Sequence, residues 1–92
     1  MTYARRVDRN HGTVAHVLKQ AGWAVVDTSR CAGLWDLVCV RRGICMFVEV
    51  KDGSKPASAR KLTPAQQELH ALFAGAGYPI RVVTSIDEAL TL

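Results

Sequence analysis

The sequence predicts an α/β fold in which helices flank a mixed β-sheet, in the order α-β-β-β-α-β-α. Three observations carry this. An apolar repeat at helical spacing opens the chain, two β-rich runs flank a tight-turn dipeptide, and a second helix with a full start signal precedes another strand. With 92 residues, 49% of them hydrophobic, the chain fits one domain spanning residues 1–92 with a thin core that oligomerisation could support. No internal repeat or linker divides it.

The first helix is expected from about Asn10 to Ala21, because Val14, Val17, Leu18 and Ala21 recur on one face. Asp8 or Asn10 can cap its start, and Gly22 suits the left-handed stop. Trp23 to Thr28 is a short β-prone run, and Ser29 to Gly33 a loop. Asp36 to Arg41 and Ile44 to Lys51 then read as strands joined by the turn Arg42-Gly43. The second of these is apolar on both faces over Ile44 to Val48 and so reads as central and buried.

Asp52 to Lys61 contains no large apolar residue and reads as a mobile basic loop. Thr63-Pro64-Ala65-Gln66 supplies an N-cap, a proline at N1 and a capping-box glutamine for a helix to about Gly75. Ala65, Leu69, Leu72, Phe73 and Ala76 are its expected buried face. Ile80 to Val83 is a last strand, and Ser85 caps a final helix through Leu90.

The net charge of +4 favours an anionic partner, nucleic acid first among them. Cys31, Cys39 and Cys45 lack C-x-x-C spacing, which argues against a disulfide framework or zinc ribbon and suits a reduced cytoplasmic protein. No signal peptide or membrane-length apolar run is expected.

The chemistry gathers at the end of the central strand, where Glu49 and Lys51 share one face. With Arg42-Gly43 as a two-residue turn, paired residue numbers sum to 85. Asp36 then lies opposite Glu49, with Cβ atoms roughly 4.5–5.5 Å apart. Facing carboxylates repel unless a proton or a cation sits between them. Two acids completed by water and phosphate suit Mg²⁺. A metal so held beside Lys51 suits phosphodiester hydrolysis, the lysine stabilising charge on the phosphate.

Asp36, twelve intervening residues and Glu49-Val50-Lys51 together resemble the PD-(D/E)xK nuclease signature. The wider segments Trp35-Asp36-Leu37-Val38-Cys39-Val40, Phe47-Val48-Glu49-Val50-Lys51-Asp52-Gly53, Lys61-Leu62-Thr63-Pro64-Ala65-Gln66 and the Val82-Val83 strand resemble the VRR-NUC branch, including its stand-alone phage and bacterial members. The resemblance covers nearly the whole chain. It implies a restriction-endonuclease-like fold and a Mg²⁺- or Mn²⁺-dependent endonuclease. Such an enzyme cuts branched DNA, such as Holliday junctions, as a homodimer inside a bacterial or phage-infected cell. It also implies Asp36, Glu49 and the Val50 carbonyl as metal ligands and Lys51 as the catalytic lysine. Two departures stand out: Trp35 replaces the usual proline, and the inward glutamate of the first helix is missing. Asn10, His11 and Thr13 stand near its place, with Asp8 the one acid nearby. One- and two-metal arrangements are both open.

Gln66 has two readings, the N3 partner of Thr63 in a capping box and a catalytic contact to the lysine or water. Lys55, Arg60 and Lys61, with Arg5, Arg6 and Arg9, are candidate DNA-binding residues. Lys55 and Lys61 are favoured, and phosphate contacts by this set would make binding salt-dependent. His11, His16 and His70 lack metal spacing and are expected at the surface or behind the site. Trp23 and Trp35 are expected in the core or an interface, and Cys39 and Cys45 on opposite strand faces as small apolar groups. The alternatives are a non-catalytic nucleic-acid-binding module that keeps the fold, and a protein-interaction domain without salt-sensitive DNA affinity.

Overall fold

The computed structural model describes residues 11–31 and 33–92. Arg5, Arg6 and Arg9, and the proposed caps Asp8 and Asn10, lie outside them. Along the chain run α1 (His11–Gln20), β1 (Ala24–Asp27), β2 (Leu37–Arg41), β3 (Ile44–Val50), a 3₁₀ turn (Ala57–Ala59), α2 (Pro64–Gly75), β4 (Arg81–Val83) and α3 (Ile86–Leu90). The order is the expected one. No described helix is long and apolar enough to cross a membrane.

Local chemistry explains the boundaries. At the end of α1, Gly22 adopts φ +95°, its amide donates to the Lys19 carbonyl, and the Trp23 amide donates to Leu18. This is the Schellman arrangement, which needs a left-handed residue at that position. Arg42 and Gly43 take φ 51° and 76°, the doubly positive pair of a type I′ hairpin turn. At the start of α2, Thr63 Oγ1 accepts from the Gln66 amide and the Gln66 side chain accepts from the Thr63 amide, with Pro64 at N1.

The sheet order is β1-β2-β3-β4, antiparallel except for the parallel β3–β4 pair. That pair requires a crossover, which the segment carrying α2 supplies. The turn fixes the expected register, with Arg41 opposite Ile44 and the pairing continuing to Leu37 opposite Val48. One face presents Val25, Leu37, Cys39, Met46, Val48, Val50 and Val83 to Val14 and Leu18 of α1 and Ala89 of α3, forming the core. On the other face, Phe47 meets Trp35, Phe73 and Tyr78 at ring-centroid distances of 4.2, 5.5 and 5.2 Å. Trp23 and Trp35 are buried as expected, and Cys39 and Cys45 take opposite faces.

Three expectations need correction. The packed side of α2 is only partly the predicted one: Leu69 and Phe73 are half-buried, but Gln66 is its buried residue, Ala65 and Ala76 are exposed and Leu72 is 67% exposed. The helix turns a polar residue inward because that residue meets charged groups on β3. Strand β3 is central, yet Ile44 at its start is exposed, because nothing packs over the hairpin tip. The segment after Lys51 is not featureless, since it contains the 3₁₀ turn and a turn tied to Asp52.

Candidate active site

Strand β3 ends at Val50, and buried polar side chains gather around that end: Glu49 on the strand itself, with Asp36, Asp52 and Gln66 on neighbouring segments. Val48 and Val50 point into the core, so strand alternation puts Glu49 on the α2 side. Glu49 is 1% exposed. A carboxylate that deep must be bonded or balanced, and α2 answers it: Gln66 Nε2 donates to Glu49 Oε2 at 3.1 Å. Lys51 Nζ donates to Gln66 Oε1 at 3.0 Å and stands 3.9 Å from Glu49 Oε2. The same Oε1 accepts from the Thr63 amide at 2.9 Å. Both readings of Gln66 are therefore realised in one residue: the capping box orients its amide, and the amide bridges the strand's acid and base.

Asp36 arrives from the neighbouring strand. It stands one residue before β2, and its amide donates to the Val48 carbonyl at 2.9 Å. The paired ladder thus stops at Leu37–Val48, and Asp36 does not extend it opposite Glu49 as the register alone suggested. The carboxylate still reaches the same place, because Oδ2 accepts from the Val50 amide at 2.8 Å and the residue is 4% exposed. In an extended strand a residue's N–H and C=O point to the same side. The Val50 carbonyl therefore points toward the strand from which Asp36 projects.

The surroundings fix these groups. The Thr28 amide donates to the Asp36 carbonyl at 2.8 Å, and Thr28 Oγ1 donates to the Trp35 carbonyl at 2.7 Å. Asp27, at the end of β1, bonds His11 Nε2 at 3.0 Å and accepts from the Ser29 amide and hydroxyl. Burial pushes the Asp27 carboxyl up, but the Ser29 and His11 bonds outweigh it and hold it down to about 2. On the other flank the Lys51 amide donates to Val83 and the Gly53 amide to Thr84. A Cβ on Gly53 would stand 2.5 Å from the Thr84 carbonyl oxygen, so only glycine lets the chain leave Lys51 this way.

Asp36, Glu49, Lys51 and Gln66 are thus gathered, with Val50 between them. Lys55 and Lys61 are exposed on the segment that follows, and Arg60 is half-buried. The Asp27–His11–Ser29 group and Gly53 were not anticipated, and no spacing in the sequence marks either. His70 is half-buried, and its place four residues after Gln66 on one helix sets it on the same side, behind the site.

No family model matches the sequence, and no curated protein matches it significantly. Among solved structures, one described as a VRR_NUC domain is similar at a TM-score of 0.67 with 28% identity, over 90% of this chain and 92% of that one. That likeness supports a VRR-NUC family member. A VRR-NUC chain has a restriction-endonuclease-like fold of the nuclease type, and the four-stranded mixed sheet flanked by helices fits it. The strand ends that carry Asp36, Glu49 and Lys51 lie side by side in that sheet.

Proposed function

We propose that this chain is a Mg²⁺- or Mn²⁺-dependent endodeoxyribonuclease that hydrolyses phosphodiesters in branched DNA, Holliday-like junctions first, as a homodimer. Residues 1–92 act as a single catalytic domain in this reading. The observation that carries it is the convergence of buried Asp36 and Glu49 on the two sides of Val50, with Lys51 beside them.

The donor set fits a hard divalent cation. Asp36, Glu49 and the Val50 carbonyl offer oxygen alone, and among the described residues no group of three or more His, Cys, Asp or Glu side chains forms a metal cage. Mg²⁺ commonly uses one or two carboxylates and completes its shell with water and substrate phosphate. When bound, the ion would lower the pKa of a water and offset charge on the phosphate. The chain's own residues do the rest. Lys51 offers an ammonium to a phosphate oxygen, where it stabilises the charge that builds in the transition state. Gln66 keeps that ammonium in place and orients the Glu49 carboxylate. Lys55, Arg60 and Lys61, with Arg5 and Arg6, contact DNA phosphates, and the charge of +4 supports such a partner. A second copy gives a symmetric pair of sites for two strands, and exposed Val26, Val40 and Leu72 offer apolar surface for it.

The test is cleavage of a four-way junction, a 5′ flap and a linear duplex in Mg²⁺, Mn²⁺ or EDTA. Metal-dependent cutting with the junction preferred is expected. Equal cutting of all three substrates would remove the structural preference, and no cutting in any metal would remove the enzyme.

A further inference from the structure

Helix α2 lies over β3 in a direction that two sets of contacts fix. Near its start, Gln66 meets Glu49 and Lys51. Two turns later, Phe73 meets Phe47 at 5.5 Å and Trp35 at 5.0 Å. The helix therefore runs opposite to the strand. His70 is four residues after Gln66 and three before Phe73, on the same side. Helical spacing therefore places it over the stretch of β3 between Phe47 and Lys51, near enough for the Lys51 charge to act on it. There its Nε2 is sealed from solvent and makes no hydrogen bond. Burial first, and the nearby Lys51 ammonium second, hold its pKa below the usual value, which favours a neutral ring.

An imidazole nitrogen buried without a partner weakens the fold, and a leucine would fill the same space without that loss. We propose that His70 is a positioning residue for Lys51: its neutral Nε2 is the acceptor that holds the ammonium when Glu49 turns to a divalent cation. The idea rests on the nuclease reading of the site. Lys51 donates to Gln66 and lies near Glu49. A cation on Glu49 weakens that second attraction, and an acceptor on the α2 side then keeps the ammonium from shifting. His70 supplies one and carries no charge to repel it.

The test compares wild type with His70→Leu and His70→Gln on a four-way junction. Melting temperature, junction affinity in Ca²⁺ and the single-turnover rate in Mg²⁺ would be measured for each. His70→Leu should melt at or above the wild-type temperature and bind the junction unchanged, yet cut at least about tenfold more slowly. His70→Gln, which keeps a polar acceptor on that side chain, should recover part of the rate. In ¹⁵N spectra without DNA, Mg²⁺ should shift the His70 Nε2 resonance in wild type and leave it unmoved in Lys51→Met. Wild-type cutting by His70→Leu, or an Nε2 resonance that ignores Mg²⁺, overturns the assignment while leaving the nuclease reading intact. A rate loss that follows a fall in melting temperature, without rescue by glutamine, also overturns it. Failure of the wild type itself to cut removes the nuclease reading, and this inference with it.

Discussion

Replacing Gln66 by alanine tests the site through its framework. Three side-chain bonds vanish: to the buried Glu49 carboxylate at 3.1 Å, from Lys51 at 3.0 Å and from the Thr63 amide at 2.9 Å. A hydrogen bond to a charged group contributes about 1.5–3 kcal/mol and a neutral one about 0.5–1.5 kcal/mol. Thr63 is exposed, so water replaces its partner at little cost. Lys51 keeps some access to solvent, which discounts its share, whereas Glu49 has almost none. The net loss is about 2–4 kcal/mol, most of it from Glu49. For a domain this size, each kcal/mol moves the melting temperature by about 4–8 °C, so a fall of at least about 8 °C is expected. Gln67→Ala is the control: its side chain is exposed and bonds only the Leu62 carbonyl among the described residues. It should change stability by less than about 0.5 kcal/mol. Thermal unfolding of both variants by circular dichroism decides. Melting of Gln66→Ala within about 2 °C of wild type would refute the bridge and the coupling of α2 to β3.

Further predictions follow from the frame around the site. Gly53→Ala forces a Cβ against the Thr84 carbonyl oxygen and should destabilise by about 1–3 kcal/mol, read from urea midpoints; an unchanged midpoint contradicts the close approach. Asp27 is held at about 2 against its ordinary 3.8, so the unfolded chain takes up this proton first as the pH falls. Its contribution is complete above about pH 4 and disappears as the pH drops through about 2. Because the side chain is 56% exposed, solvent screening keeps that contribution below about 1 kcal/mol. The stability difference between wild type and Asp27→Asn should therefore shrink between pH 4 and pH 2, and a constant difference would contradict the assignment. Arg42→Asn relieves a positive φ in the hairpin turn and should leave stability equal or higher by up to about 1 kcal/mol; a clear loss would mean a different turn.

Much of this was legible in the sequence because the signals were local. The Arg42-Gly43 turn fixed the register down to Leu37–Val48, and that register put Glu49 and Lys51 beside the strand carrying Asp36. Thr63, Pro64 and Gln66 announced the start of α2 with its capping box. What stayed hidden depended on tertiary geometry. Asp36 leaves the ladder one residue early and reaches the site through the Val50 amide, which pairing rules do not foresee. Of the apolar stripe of α2, Leu69 and Phe73 turn toward the sheet, whereas Ala65 and Leu72 do not, because Gln66 takes the inward place to meet the buried charges on β3. His11 and Asp27 meet across sixteen positions, a distance no helix or strand period covers.

The central claim is that Asp36, Glu49 and Lys51 form a metal-dependent phosphodiesterase site. Single-turnover cleavage of a four-way junction in Mg²⁺ and in EDTA tests it most directly, with wild type beside Glu49→Gln and Lys51→Met. The account predicts cutting in Mg²⁺ alone, slowed by at least about 100-fold in either variant while junction binding in Ca²⁺ persists. Cutting in EDTA, or cutting at the wild-type rate by Glu49→Gln, would contradict it.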